Sequence, residues 1–360
     1  MNLELDDDLR MLGESLSGWL GQHLPFERRA TLRAPAAQLA FWRELDGALT
    51  LAGAGLPESW GGFGAGMSAH MVVMEALGAA LASTPYVESA VIAGTLLERL
   101  APQGPLGPQI ASGEKLVIPA WDEVQGRGDP LSLRTTASEG ADGWRITGAK
   151  CAVRWGGQAD VLLVSAITAQ GPGVFVVDPS ASGVAGREVR LIDDHPALEL
   201  TLSDAPGTPL AVGEAAGAAL VAAIDAGTAA VCAEGVGLMR TLLDDTIDYT
   251  KQRKQFGQTL VSFQALQHRM VDMRMLIEQS AAAVLLAVLK VDQPAAVSTA
   301  KTTVGEAVRK VGQEAVQLHG AMGLTEELRV GHYFRRATAI ENQFGDADRH
   351  LARYRDLTLA

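Results

Sequence analysis

Between residues 113 and 212 the sequence changes its period, and that change limits what the chain can fold into. Short apolar runs appear there: Lys115-Leu-Val-Ile-Pro119, Trp144-Arg-Ile-Thr147, Val161-Leu-Leu-Val164 and Val174-Phe-Val-Val177, parted by Gly, Asp and Pro. Such spacing predicts a small β domain. On either side the apolar residues return at intervals of three and four, the mark of amphipathic helices. Leu9, Leu12, Leu16, Trp19 and Leu20 form one such series, and a second helical run covers Met71 to Leu100. Phe263, Leu266, Met270, Met273 and Ile277 give one apolar face of a long helix, predicted to be bundle core. The expected class is therefore α+β, with a helical domain over 1–112, a β domain over 113–212 and a helical domain over 213–360. A chain of 360 residues suits two or three domains.

Composition removes several functions. Hydrophobic residues at 48% and charged residues at 20% mean a packed core. A net charge of −12 with no basic tract excludes the electrostatic footprint of a nucleic-acid binder. Cys151 and Cys232 are the only cysteines, too few for a disulfide framework. The seven histidines share no metal-ligand spacing on one helical turn, so no metal site is expected. The N-terminal Met-Asn-Leu-Glu-Leu-Asp-Asp-Asp lacks a charged-then-apolar signal pattern, so a cytoplasmic protein is expected. The most apolar run, Ala215 to Val236, is interrupted by Asp225 and Glu234 and predicts a buried core helix, not a membrane span. No Gly-x-Ser-x-Gly elbow supports hydrolase chemistry. The glycine-rich connector Leu56–Gly66 lacks the Lys-Ser/Thr of a phosphate loop.

Two segments carry chemistry. In Tyr249-Thr-Lys-Gln-Arg-Lys-Gln-Phe-Gly257 the pattern predicts a helix running through Arg253, Gln255 and Phe256 and breaking at Gly257. In Gln317-Leu-His-Gly-Ala-Met-Gly323 a glycine cluster parts two helical stretches. An arginine binds pyrophosphate through a planar fork of donors, and glycines admit close approach of backbone N–H groups. Together they suit an elongated anionic ligand. Each also has a purely structural reading: a cation at a helix C-terminus, and a helix-ending turn.

The pairing, in this three-part layout, resembles the acyl-CoA dehydrogenase family, in which Arg-Lys-x-Phe-Gly and Gln-x-x-Gly-Gly-x-Gly hold the ADP half of FAD. The resemblance implies an N-terminal helical domain, a barrel-like β domain and a C-terminal four-helix bundle. The Leu56-Pro-Glu-Ser-Trp-Gly-Gly-Phe-Gly string is similar to a structural loop of the same family. By the resemblance, Arg253 would hold the pyrophosphate of a neighbouring subunit's FAD, with Gln255 and Phe256 lining the adenosine side. Gln264 would add a cofactor contact. Gln317, Leu318, Gly320 and Ala321 would meet the ADP half, Ala321 standing where the family has a second glycine.

The family's reaction removes an α-proton from an acyl thioester, which needs a carboxylate tuned by an apolar site. The family's glutamate precedes a glycine near the C-terminus. Here the matching string is Asn342-Gln-Phe-Gly-Asp346, and Phe344 stands in the base position. The second position used by some relatives is Gly227. Glu341, Asp346 and Asp225 are the acids nearby, expected as surface or ion-pair groups; no catalytic residue is assigned to this chain. In the β domain the frame of Gly148, Lys150, Ala159 and Asp160 is retained, while Ala120-Trp-Asp-Glu123 and Arg154-Trp155 replace the family's flavin-binding hydroxyls. The resemblance therefore implies the non-catalytic subunit of a heterotetrameric acyl-CoA dehydrogenase. It would share FAD with a homologous catalytic partner that acts on an acyl-CoA of the steroid side-chain type, with electron-transfer flavoprotein as acceptor. A self-sufficient homotetramer with an unusual base, and a non-enzymatic structural partner, are the alternatives.

Overall fold

The computed structural model describes residues 6–359, so most of the N-terminal segment considered above lies outside the described residues. The chain forms two compact units, each assembled from segments remote in sequence. One takes in the chain up to Ala30, Met71–Ala82 and everything from Thr228 on; the other takes in Thr31–His70 and Ser83–Gly227.

Helix α1 (Asp7–His23) opens the first unit, with the Asp6 carboxylate accepting from the Leu9 N–H at 2.8 Å as its N-cap. Its apolar stripe buries Leu9, Leu16 and Leu20. A single turn, α2 (Phe26–Arg29), follows. In the second unit come α3 (Pro35–Leu49) and a turn-rich connector, which leads into α4 (Gly66–Ala80). The helical run predicted from Met71 to Leu100 is interrupted. Leu81 adopts φ 52, and Val87–Ala93 is wound as a π-helix before α5 (Gly94–Leu100) and α6 (Leu106–Ala111). Pro85 lies in the break, where it cannot continue an α-helical ladder.

Seven strands occupy the centre of the sequence: β1 (Val117–Ala120), β2 (Thr136–Gly140), β3 (Gly143–Arg154), β4 (Val161–Thr168), β5 (Gly171–Val177), β6 (Val184–Arg190) and β7 (Pro196–Val212). Pairings β4–β2–β3–β7–β5–β4 close into a ring, with β1 parallel on β4 and β6 antiparallel on β7. A closed ring leaves fewer exposed edges, and its interior fills with side chains: Ile146, Val153, Trp155, Leu162, Phe175 and Leu200 among them. Strands β2, β6 and β7 were not predicted. The 17-residue β7 is broken in sequence by Asp204, Pro206, Gly207 and Pro209, and the register of its pairing with β5 shifts between Val174 and Phe175.

The C-terminal region is helical: α7 (Glu214–Gln252), α8 (Gln264–Leu289), α9 (Pro294–His319), α10 (Arg329–Asn342) and α11 (Ala347–Thr358). Helix α7 is long and apolar enough by composition to cross a membrane, but its apolar window is 78% buried within the fold, as expected of a core helix. Where α4 meets α7 the backbones nearly touch. A Cβ on Gly78 would stand 2.1 Å from the Glu234 carbonyl oxygen, and one on Gly237 would stand 1.9 Å from that of Glu75. No other residue fits either position. Helix α9 is central to α8, α10 and α11, with Val304 and Val308 packing on Gly235 of α7. The predicted stripe on α8 is buried at Met270, Met273 and Ile277, while Phe263 and Leu266 are half-buried.

Candidate functional site: the ends of α7 and α9

Helix α7 ends at Gln252, earlier than the sequence pattern suggests. Arg253 is the first residue beyond it, and its N–H still donates to the Tyr249 carbonyl at 2.9 Å. Gln255 and Phe256 are therefore not helical. They belong to a small hairpin of β8 (Lys254–Gln255) and β9 (Gln258–Thr259). Its two central residues, Phe256 and Gly257, have φ 54 and 81, the type I′ signature. Glycine takes that conformation freely, but for Phe256 it costs about 1–2 kcal/mol. Its ring is 86% exposed, with only an edge contact to Phe263 at 6.2 Å. The hairpin thus holds a large aromatic side chain in solvent at the cost of a strained backbone.

A single 3-10 turn, Leu260–Ser262, links the hairpin to α8, with the Leu260 N–H donating to the Arg253 carbonyl at 2.9 Å. Gln264 is the first residue of α8 and is exposed. Helix α9 ends at His319, and Gly320 turns away with φ 63 and ψ −146, a region open in practice only to glycine. A Cβ at Gly320 would meet nothing within 4 Å, so solvent or a ligand reaches this backbone freely. Ala321 is exposed and has no positive φ, so the short turn Gly320–Leu324 does not require a second glycine. Gln317 is exposed. Leu318 is not: it is 6% exposed, its side chain packed in the core, which leaves only its backbone for a ligand.

Tyr249 brings the two segments together. Its ring stacks on His319 at 4.3 Å, and its hydroxyl donates to the His319 carbonyl at 3.2 Å. Tyr249 lies one turn before Arg253, and His319 immediately precedes Gly320. This one residue therefore joins the C-terminal ends of α7 and α9. His319 donates from Nδ1 to the Ala315 carbonyl at 2.8 Å, and burial pushes its pKa down. It is a buried packing residue, stacked on Tyr249. Glu314 adds a further tie, accepting from Arg269 Nε of α8 at 2.5 Å and from Lys310 at 3.1 Å.

The donors present fit a pyrophosphate. Among the described residues, the guanidinium of Arg253 and the amides of Gln264 and Gln317 make no side-chain hydrogen bond or ion pair, and all three are exposed. An arginine fork, two amides and an unobstructed glycine backbone supply N–H groups with no competing carboxylate bound to them.

The segment around Phe344 is built differently. Phe344 is 8% exposed and has φ 63. Its carbonyl accepts from His350 Nε2 at 3.0 Å. Just upstream, Lys301, fully buried, donates from Nζ to the carbonyls of Ile340 and Glu341, both at 2.8 Å. Burial lowers the Lys301 pKa to about 8, while the cation still suits the negative end of α10. Arg336 forks onto Glu234 of α7 at 2.6 and 2.5 Å and reaches Gln343 at 3.2 Å. The acids near Phe344 are committed elsewhere: Glu341 to Arg309 at 3.2 Å, and Asp346 to the N-cap of α11, accepting from the Arg349 N–H at 2.9 Å. Gly227 and Asp225 are buried in α7.

Inside the barrel, Lys150 donates to Glu123 at 2.6 Å and to Ser165 at 3.0 Å. Burial brings Lys150 down to about 8, and against its own burial the lysine holds Glu123 at about 2. Arg154 pairs with the buried Asp193 at 3.3 Å, and Trp155, at φ 61, is fully enclosed in the barrel core. Among the described residues no group of three or more metal-ligating side chains occurs.

Sequence reasoning passed over Tyr249, Lys301 and the Glu234–Arg336 pair. An aromatic residue one turn before Arg253 was the available signal for Tyr249; for Lys301 and for a pair 102 residues apart there was none.

Comparison with known proteins shows which family the two helical regions match. Residues 6–102 match the acyl-CoA dehydrogenase N-terminal domain and residues 217–354 the acyl-CoA dehydrogenase C-terminal domain. Acyl-CoA dehydrogenase FadE27 of Mycobacterium tuberculosis is 32% identical over 327 residues, covering 87% of this chain and 86% of the relative. Among solved structures, a variant of the Tcur3481-Tcur3483 steroid ACAD superposes with a TM-score of 0.89 at 30% identity, covering 98% of both chains. The ChsE4-ChsE5 complex from Mycobacterium tuberculosis gives 0.88 at 27% identity, covering 98% of this chain and 97% of that one.

Proposed function

Because the chain belongs to the acyl-CoA dehydrogenase family, whose cofactor is FAD, we propose that it is the non-catalytic subunit of a heteromeric member, lending ADP-side contacts to a FAD shared with a homologous catalytic subunit. One contrast carries this reading. The ends of α7 and α9 present unspent donors to solvent, while the position expected to hold the base is the buried Phe344, with Glu341 and Asp346 already bonded elsewhere. Proton abstraction needs a carboxylate within reach of the α-carbon.

In this reading Arg253 binds the pyrophosphate as a fork, Gln264 and Gln317 donate to its flanks, and the Gly320 backbone approaches without obstruction. Phe256 packs its exposed ring against the partner or the adenosine. FAD supplies the hydride acceptor for α,β-desaturation of the thioester. Enclosed Trp155 and the Arg154–Asp193 pair stand where the family places hydroxyls for the flavin ring, which supports one flavin seat per pair of subunits. Both solved neighbours named above are pairs of differently named chains, and one is a steroid ACAD; on that likeness we place the substrate among bulky, steroid-type acyl-CoA thioesters. Electron-transfer flavoprotein is the proposed acceptor, and the cytoplasm the proposed compartment.

The test is the flavin-to-protein ratio of the chain purified alone and after co-expression with its homologous partner. No flavin alone, and about one FAD per pair together, is expected if the pyrophosphate needs both chains. One FAD per isolated chain, with dehydrogenase activity lost in Glu341→Gln or Asp346→Asn, would establish a self-sufficient enzyme instead.

A further inference from the structure

Helix α7 carries Thr241, Asp245 and Tyr249 at four-residue spacing, and Arg253 continues the row just past the helix end. Residues four apart share one helix face, about 5–6 Å from each other. Each of the three within the helix engages another element. The Thr241 hydroxyl donates to the Ala79 carbonyl of α4 at 3.1 Å. Asp245 accepts both prongs of Arg329, Nε at 2.6 Å and Nη2. Tyr249 donates to the His319 carbonyl at 3.2 Å. Burial lowers the His319 pKa and the Asp245 charge opposes that shift, so the carboxylate also stands near the end of α9.

The row thereby grips both ends of one loop. His319 is the last residue of α9, and Arg329 the first of α10. Of residues 320–328 between them only Gly323 is buried, so packing fixes the loop weakly and its end anchors matter more. Leu328, the N-cap of α10, offers no side-chain bond, which leaves the start of that helix to the Asp245 fork. Glu326 adds a tie to Arg335 at 2.7 Å. One turn after Arg329, the Tyr333 hydroxyl donates at 2.5 Å to the same Ala79 carbonyl that Thr241 meets. That shared acceptor keeps α10 in register with α7, and Arg329 opposite Asp245.

We propose that Asp245 is a positioning residue for the FAD pyrophosphate: by holding Arg329 it fixes the 320–328 loop, so that the Gly320 backbone and Arg253 meet one anion. This rests on the reading of Arg253 and Gly320 as pyrophosphate contacts. Asp245 acts through Arg329 and not on the cofactor, and its charge has the wrong sign to attract an anion. Removing it therefore has opposite consequences under two mechanisms. By charge alone, loss of a carboxylate near a pyrophosphate tightens binding. Loss of an anchor loosens the loop, and ordering it on binding then weakens affinity.

The experiment compares Asp245→Ala, Asp245→Arg and the charge-swapped pair Asp245→Arg with Arg329→Asp. Hydrogen exchange of the Gly320–Leu328 amides in the isolated chain reads the loop, and equilibrium dialysis of FAD against the complex with the catalytic partner reads affinity. Asp245→Ala is expected to speed exchange in the loop and to raise the Kd for FAD about three- to fivefold. Asp245→Arg should do more, and the swapped pair should return to within about twofold of the parent. Thermal unfolding checks each fold, and should Asp245→Arg not fold, Asp245→Ala decides alone. The proposal is overturned if Asp245→Ala leaves the Kd unchanged or lowers it, if loop exchange does not change, or if the swapped pair binds FAD no better than Asp245→Arg. Arg253→Ala separates this proposal from the reading beneath it. Weaker FAD in Arg253→Ala but not in Asp245→Ala overturns the positioning alone; unchanged FAD in both overturns the pyrophosphate site and the positioning with it.

Discussion

Arg253→Ala removes a guanidinium that does nothing for the fold and, in the proposed reading, holds the pyrophosphate. Its side chain is exposed and makes no intramolecular hydrogen bond or ion pair among the described residues, so the stability of the chain should change by no more than about 0.5 kcal/mol. A hydrogen bond to a charged group is worth about 1.5–3 kcal/mol net. Losing the fork should therefore raise the Kd for FAD by about ten- to 150-fold in the complex with the catalytic partner. Arg253→Lys keeps the charge but not the planar pair of donors, so it should fall between the two. Equilibrium dialysis of FAD against the co-purified complex measures the affinity, and a urea melt of the isolated chain measures the fold. An unchanged Kd in Arg253→Ala, with the two chains still co-purifying, would refute the assignment of Arg253 to the pyrophosphate.

Three further outcomes follow from the same geometry. Gly237→Ala should destabilise by about 1–3 kcal/mol or more, because its Cβ would lie 1.9 Å from a backbone oxygen of α4; Gly21→Ala, on α1 with nothing within 4 Å, should instead stabilise by about 0.5–1 kcal/mol, and equal melting temperatures would show that the crossing is looser than described. Burial lowers His70 and His350 to about 4 from 6.5, so between these values the unfolded chain binds protons that the folded chain refuses, and stability falls as the pH drops. The loss should reach about 2 kcal/mol per imidazole at pH 5, read from urea midpoints at pH 7 and 5, and a flat profile would contradict it. Tyr249→Phe retains the stack on His319 but loses the bond to its carbonyl, which should weaken FAD in the complex by up to about fivefold (~1 kcal/mol) at little change in melting temperature; an unaltered affinity in both Tyr249→Phe and Tyr249→Leu would show that the two helix ends need no such tie.

Much of the fold was legible because burial imposes a period. Leu9, Leu16 and Leu20, and Met270, Met273 and Ile277, recur at helical spacing because one face of each helix meets the core. The strands that were predicted are those with short apolar runs. Strand β7 escaped because its partners on both sides, β3 and β5 with β6 added, stabilise a segment whose own residues include two interior prolines. The helix expected through Phe256 ended sooner for a similar reason. Its residues are acceptable helix formers, and only the type I′ turn at Phe256-Gly257 shows that the chain spends about 1–2 kcal/mol on another conformation.

The sequence alone determined the α+β class, the two segments proposed here to meet the cofactor's pyrophosphate and the absence of a carboxylate at position 344, since each depends on residue type and on spacing along the chain. Only the tertiary structure decided what those residues touch. It joined Tyr249 to His319, paired Glu234 with Arg336, set Lys301 under the end of α10 and, among the described residues, left the side chains of Arg253, Gln264 and Gln317 unengaged. The physical reason is that a side chain's charge and hydrogen-bonding capacity are local properties, whereas whether they are spent on the fold or remain available to a ligand depends on partners brought from tens to hundreds of residues away.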